Sequence, residues 1–470
     1  MTDILLLVPF ALLLILNVLP RRTQGGAWVA CLVLFVLQTA AAALFPFNVV
    51  SWDFLKPLND AVGFTLAVDN LGALLLGAAG LAGIAALLVG RATITQPRPR
   101  FIFANLLVVA LIGMNGIAMT RDLFSLYVFI EATSVAAFIL VPLRQGKDAF
   151  EGAWKYLILS AVASVFMLAS LAFFLLAAGG VSYVEAAAAL AAPTPLTWAA
   201  AALFLSGLFV KGAMVPFHGW LADAYTAAPP AVSVFLAGIV TKASGIFALM
   251  RLAPSLMAAA GPAREVVLVV GAATAVGGAF LALTQADMKR MLAWSSVSQM
   301  GYIVMALGGE PTLALIGAGL HFFNHAVSKA QLFTNAAAIE KSLGTRDMDR
   351  MGGIAARMPV TGGTAAVGAL SIAGLPPLAG FWSKLLIIMA LWKGGEQVFA
   401  VIAILTSLVT LAYFLSLQRR AFFGTLLPEW GAVREAGPGF LVPALILAAI
   451  TVGIGVGFPF LLPILLGGGA

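Results

Sequence analysis

The sequence predicts an all-α polytopic membrane fold of about 14 transmembrane helices, and three observations carry that prediction. Of 470 residues, 62% are hydrophobic and 10% charged, with a mean hydropathy of +1.06; too few polar residues are left to coat a soluble surface. Apolar runs of about 20 residues, enough to cross roughly 30 Å of hydrocarbon, recur from one end of the chain to the other. Basic residues gather in alternate gaps between these runs.

Dividing the chain at its polar, Gly and Pro breaks gives spans near 3–19, 27–46, 63–89, 101–119, 122–142, 154–178, 197–221, 230–253, 264–284, 287–308, 312–340, 359–392, 398–418 and 438–465. The first run has no basic leader and no small-residue cleavage site after it, so it reads as a retained helix, with the mature chain beginning near Met1. Gaps after odd-numbered spans hold 17 of the 26 basic residues, including Arg21, Arg22, Arg144, Lys147, Lys155, Lys289, Arg290 and Arg346. Gaps after even-numbered spans hold five: Lys56, Arg121, Arg251, Arg264 and Lys393. The bias places the odd face in the cytoplasm, both termini outside and the chain in a cell (inner) membrane. A missed helix would invert the bias in every later gap, and it persists to the last. This asymmetry also accounts for the net charge of +7, so no nucleic-acid partner is inferred. Cys31, the only cysteine, excludes an intramolecular disulfide and a cysteine-ligated cluster.

Four basic residues belong to no gap: Lys211, Lys242, Lys329 and Lys384. A lysine near the centre of a membrane helix costs about 2.5–3.5 kcal/mol to insert, and near a helix end it can reach water instead. Lys211, Lys242 and Lys329 lie well inside their spans, which argues against that escape. Glu131, within "LFSLYVFIEATSVAAFILV", needs a cationic partner or a proton-transfer role. If it approached Lys211 to about 7 Å at an effective dielectric near 20, the attraction would be roughly 2.4 kcal/mol, enough to couple the lysine's proton to the position of the acid.

In "LHFFNHAVSKAQLF", His321, His325 and Lys329 recur at i, i+4 and i+8 and form one polar stripe on a helix. Paired histidines at i, i+4 also suit zinc, but His218 is the only other histidine and no acid shares the stripe. A proton relay is the preferred reading, with no metal site and no cofactor.

Two spans carry helix breakers beside a lysine: Pro216 after Lys211, and Pro376 and Pro377 before Lys384. Backbone breaks are tolerated at membrane depth where they line a polar cavity, and breaks in both halves indicate internal repeats. The expected division is 1–100 for helices one to three, 101–253 for a first repeat of helices four to eight, 264–420 for a second repeat of helices nine to thirteen, and 438–465 for the last helix. Five spans per unit invert the second copy relative to the first. The chain has no nucleophile elbow, Walker loop or cofactor motif, so catalysis on an organic substrate finds no support.

The chain resembles the antiporter-like membrane subunits of the complex I superfamily, which include the large subunits of Mrp cation/proton antiporters and of membrane-bound hydrogenases. The resemblance rests on "VDNLGALLLG", "LYVFIEATSV", "LFVKGAMVPFHGWLADAYTAAPPAVSVFLAGIVTKASGIFAL", "DMKRMLAWSSVSQMGYI", "HFFNHAVSKAQLF" and "SIAGLPPLAGFWSKLL", in that order across nearly the whole chain. It implies fourteen helices with inverted five-helix repeats. It also implies proton transfer along Glu131, Lys211, Lys242, His321, His325, Lys329 and Lys384, and assembly with other membrane subunits, including homologous antiporter-like ones, in lipid. Lysine at 384, where some members of the family carry glutamate, fits the Mrp D-type subunit and some complex I subunits better than others. Two departures stand out. The family often has Leu-Pro-Asp where this chain has Leu221-Ala222-Asp223, and the chain stops soon after the last span, without the long lateral helix of the largest complex I subunit.

The function expected on this basis is proton translocation coupled to Na+ or another cation, as in Mrp-type antiport. The alternatives are a proton-pumping subunit of a complex I-like dehydrogenase or membrane-bound hydrogenase, an autonomous secondary transporter for a small solute, and a scaffold with inert lysines.

Overall fold

Hydrocarbon offers backbone amides no water, so a spanning segment must close its own hydrogen bonds as a helix. The computed structural model describes residues 4–18, 26–44, 66–258 and 262–467. Arg21, Arg22 and Lys56, assigned above to gaps, lie outside the described residues. The helices in chain order are α1 Ile4–Val18, α2 Ala27–Leu44, α3 Asn70–Thr93, α4 Pro97–Met119, α5 Leu123–Leu140, α6 Lys147–Ala178, α7 Tyr183–Ala191, α8 Pro195–Lys211 and α9 Gly219–Ala227. They continue with α10 Pro230–Met257, then α11 Ala263–Leu283, α12 Met288–Ala306, α13 Pro311–Leu343, α14 Pro359–Ala373, α15 Ala379–Lys393, α16 Gln397–Leu417 and α17 Pro438–Gly467.

Among the described residues, nine helices are long and apolar enough to cross a membrane: α2, α3, α4, α5, α6, α10, α11, α16 and α17. The other five expected spans are the short apolar α1, the broken pairs α8/α9 and α14/α15, and α12 and α13. The last two are more polar for a packing reason. Every residue of α12 except Arg290 is buried, as is most of the second half of α13, so neither must match lipid. Lipid-facing apolar residues sit instead on the outer helices, such as Leu176 on α6 and Val398 on α16. Helix α7 was not expected. It begins with a reciprocal bond pair, in which Ser182 Oγ accepts from the Glu185 amide and Glu185 Oε2 accepts from the Ser182 amide, ahead of an alanine-rich run with high helix propensity.

Small residues and amides join the helices, as expected where lipid leaves little hydrophobic drive for association. A Cβ on Gly301 of α12 would stand 2.3 Å from the Ala275 amide of α11, and one on Gly278 of α11 2.5 Å from that of Ser298; the two backbones touch. Gln38 of α2 and Asn115 of α4 exchange reciprocal hydrogen bonds of 2.9 and 2.8 Å, and Asn115 also donates to the Leu5 carbonyl of α1.

Ion pairs sort the chain ends into two faces. Arg144–Glu340, Lys155–Asp223, Arg290–Asp223, Arg346–Asp287 and Arg420–Asp349 all join groups at the odd-face ends of spans. Arg121–Asp69, Arg251–Asp69 and Arg264–Glu396 join groups at the even-face ends. No ion pair among the described residues links the two faces, as an even count of spans between same-face groups requires. Lys155, assigned from sequence to a gap, is in the early turns of α6, which starts at Lys147 and not near 154.

Asp69 ties three elements together on the even face: it caps α3 through the Gly72 amide at 2.8 Å and pairs with Arg251 and Arg121. Burial alone would raise its pKa, but the Arg251 hydrogen bonds and charge, the Gly72 amide and Arg121 outweigh it and hold the carboxyl below its usual range. Its contribution is therefore complete above the unfolded value near 4 and is lost as pH falls through the lower native one. Since the carboxylate is partly open to water, replacing it with Asn is expected to cost about 1–2 kcal/mol at pH 7. Thermal unfolding of the detergent-solubilised protein should show a lower midpoint for Asp69→Asn at pH 7 and a smaller difference from wild type near pH 3. An equal midpoint at pH 7 contradicts this.

Candidate functional site

Both expected breaks are present, and they match bond for bond. After α8 the chain turns at Ala213 (φ 54°), and after α14 at Gly374 (φ 92°). The Met214 amide donates to the Phe209 carbonyl, as Leu375 does to Leu370, and Phe217 donates to Met214 as Leu378 does to Leu375. Corresponding residues are 161 apart (375 − 214), and the six-to-one bonds with a left-handed residue are a common way to finish a helix. A second pair of equivalents starts earlier. The isolated bridge Asp122–Ser182 recurs as Asp287–Asp347, 165 residues on (287 − 122 and 347 − 182), and Asp122 and Asp287 each cap the helix that follows.

The lysines, however, do not occupy corresponding places, as their neighbouring prolines had suggested. Lys211 ends the half-helix before its break, whereas Lys384 lies in the half-helix after its break and faces back to the Ala373 carbonyl at 3.5 Å. At the 161-residue offset, Lys384 corresponds to Asp223 (384 − 161), an odd-face acid. Pro216, Pro376 and Pro377 are exposed, and the Val215 amide is satisfied by Thr274 of α11 at 3.0 Å.

Glu131 and Lys211 are in direct contact, closer than the 7 Å considered above, with Oε1 to Nζ at 2.7 Å. The ammonium also donates to Ser160 Oγ at 2.6 Å and Ser134 Oγ at 3.1 Å. Its side chain is 1% exposed against 25% for Glu131, so the acid stands on the outer side of the pair. One carboxylate and two hydroxyls thereby replace the water that a buried cation needs.

The remaining candidates form a second group. Helix α10 widens into π turns at Leu236–Val240 and Lys242–Phe247, a distortion frequent at functional sites, and Lys242 Nζ donates to the Ala237 carbonyl. Lys329 of α13 donates to the Leu292 carbonyl of α12 at 2.9 Å and to Ser295 Oγ. The imidazoles of His321 and His325 stack in parallel with centroids 6.2 Å apart, as their i, i+4 spacing requires. His321 Nδ1 shares a 2.9 Å hydrogen bond with Ser383 Oγ, next to Lys384. Lys384 Nζ lies 4.6 Å from the centre of the Tyr302 ring, a cation–π contact strengthened by exclusion of water. His325 lies one turn from both His321 and Lys329 on α13, and among the described residues neither of its ring nitrogens has a hydrogen-bond partner.

The two groups meet through glycines. A Cβ on Gly245, in the π turn that begins at Lys242, would stand 2.3 Å from the amide of Gly212, the neighbour of Lys211. The arrangement gathers basic groups in the interior of the fold, with hydroxyls beside Lys211, Lys329 and His321.

Sequence reasoning missed the hydroxyl partners Ser134, Ser160, Ser295 and Ser383, and one lysine. Lys289, assigned to a gap, is 2% exposed and lies in the first turn of α12, capped by Asp287. The Asp cap before "MKRMLAW" signals that the helix begins there, which puts Lys289 and Arg290 on different faces.

Fold and site together define a polytopic membrane subunit with a buried chain of ionisable groups. Residues 120–410 match the family described as NADH:quinone oxidoreductase/Mrp antiporter, TM. The chain is 36% identical to the N subunit of the NADH-quinone oxidoreductase of Desulforudis audaxviator over 412 residues, covering 84% of this chain and 81% of that one. It is 30% identical to the D subunit of the Na(+)/H(+) antiporter of Alkalihalophilus pseudofirmus over 396 residues, covering 84% and 80%. A chain in the Mrp complex of Dietzia sp. superposes with a TM-score of 0.89 at 25% identity, covering 99% of this chain and 95% of that one. One in respiratory complex I of Thermus thermophilus gives 0.80 at 29% identity, covering 99% of both. The chain belongs to the NADH:quinone oxidoreductase/Mrp antiporter membrane family, and is antiporter-like in kind.

Gly245→Ala is expected to push α10 off the end of α8 and to cost about 1–3 kcal/mol through overpacking. Gly363→Ala, where a Cβ meets nothing within 4 Å, serves as the neutral comparison. Thermal midpoints of the two purified variants test this, and equal values would contradict the close approach.

Proposed function

We propose that the chain is the proton-translocating antiporter-like subunit of a multi-subunit membrane complex, of the Mrp cation/proton antiport kind. The observation that carries this reading is the 2.7 Å Glu131–Lys211 pair, with Lys242, His325, Lys329, His321 and Lys384 all buried in the same fold. Removing or restoring the carboxylate changes how firmly Lys211 keeps its proton, and the next basic group accepts what Lys211 releases.

In this reading the odd face is cytoplasmic, both termini are outside and the membrane is the cell (inner) membrane, supported by the basic residues of the odd gaps. Residues 101–253 and 264–420 form the two inverted units, supported by the matching breaks, caps and bridges. The partners are other membrane subunits, homologous antiporter-like ones among them, and the ions are H+ and Na+. Support comes from the Na(+)/H(+) antiporter relative and from the Mrp complex that the fold matches.

A second reading, a proton-pumping subunit of a redox-driven complex, is favoured by the 36% identity to a component of an NADH-quinone oxidoreductase. Mild-detergent purification of the native complex separates the two: copurifying flavin or iron–sulfur subunits support the second reading, and their absence together with ion flux without redox substrate supports the first.

Lys211→Met in the assembled complex is expected to lower proton flux at least tenfold, measured with a pH-sensitive dye in proteoliposomes, while subunit composition stays unchanged. Flux equal to wild type would overturn proton translocation through this chain and leave the scaffold alternative.

A further inference from the structure

Lys289 is a buried lysine that the relay above does not use. Its Nζ donates to the Ala228 carbonyl at 2.7 Å. Ala228 leads into Pro229 and Pro230, which line a 460 Å³ hollow on the odd face together with Arg144, Ala337 and Glu340. A second hollow of 530 Å³ is lined by Arg144, Asp287, Glu340 and Arg346. Glu340 borders both. A polar hollow of that size holds many waters.

Glu340 is loosely held. Its Oε1 lies 3.6 Å from Arg144, whose side chain is 72% exposed, a pair worth little in water. Among the described residues its Oε2 is buried without a hydrogen-bond partner. Lys289 itself lines neither hollow; its link to them is the Ala228 carbonyl, next to Pro229 on the wall of the first. Between one and two helical turns inward from Lys289, Leu292 and Ser295 hold Lys329. Lys289 thus stands between an acid open to the odd face and the inner lysine of the relay.

We propose that Glu340 is the proton intake group on the odd face and that Lys289 carries protons from it toward Lys329. The protonated Glu340 carboxyl gives up its O–H proton, through vestibule water, to the neutral Lys289 amine, which becomes ammonium. The carboxylate is then reprotonated by hydronium from the odd side; no electrons change hands. Arg144, Lys341, Arg346, Asp287 and Asp347 are the other charged groups on the walls of the two hollows that Glu340 borders. The proposal rests on the proton-translocating reading of the chain.

The test uses the assembled complex in proteoliposomes. Glu340→Gln and Lys289→Met are each expected to lower proton flux at least tenfold with subunit composition unchanged, and Glu340→Asp to keep a third or more of it. Glu340→Cys is expected to react with a membrane-impermeant maleimide added on the odd side. Treating it with a carboxylate-bearing methanethiosulfonate is expected to restore flux that an ammonium-bearing one does not, a difference a purely structural Glu340 would not produce. If Glu340→Gln and Lys289→Met keep flux within twofold while Lys211→Met is inactive, the intake proposal falls and proton translocation stands. If Lys211→Met is also active, the reading beneath it falls. Should Glu340→Gln not assemble, an unreactive cysteine at 340, or equal rescue by both reagents, overturns the proposal.

Discussion

A cation kept away from water must be given other oxygens, and in this molecule the backbone supplies many of them. Lys242 uses the Ala237 carbonyl inside a π-distorted stretch, and Lys289 the Ala228 carbonyl just ahead of a Pro-Pro pair. Lys329 uses Leu292, and Lys384 faces Ala373, where α14 ends. Several of these carbonyls lie where the regular helical ladder is interrupted, so the irregularities and the charges belong together. Without the breaks and π turns the ammonium groups would compete with backbone amides for acceptors; without the lysines the freed carbonyls would lack donors. Lys211 is the exception, because it has a carboxylate and two hydroxyls.

Much of the fold was legible in the sequence because membranes simplify the code. Apolar length located the spans, and the parity of basic residues tested their count. The same parity returns in the ion pairs, which join odd ends to odd ends and even to even. Lys211, Lys242, Lys329 and Lys384 were visible because lysine is out of place in an apolar run. Lys289 was not, since two residues into a helix it has the same neighbours in sequence as an exposed residue, and only the helix face decides between burial and exposure. Its neighbour Arg290 faces Asp223 at 2.9 Å.

The correspondence between the two breaks was half legible. Proline marked both positions, yet the equivalence lies in the turn geometry around Ala213 and Gly374, and the adjacent lysines suggested a different alignment. A serine among apolar residues reads as a tolerated small side chain, so the hydroxyls beside Lys211, Lys329 and Lys384 gave no signal of their own. Their partners are 34 to 77 residues away, beyond any local pattern.

The burial of α12 bears on how the chain is made. Its sequence is too polar to leave a translocation channel for lipid alone, and all but one of its residues are buried against other helices. Its backbone touches that of apolar α11 at Gly278 and Gly301, and only Thr284 to Asp287 separate the two helices. The short connection and close backbone contact suit α11 and α12 to enter the bilayer as one hairpin, the apolar helix shielding its more polar partner. Burial alone does not create this dependence, since α10 is buried as fully yet is apolar enough to span; it is the polarity of α12 that ties it to a neighbour.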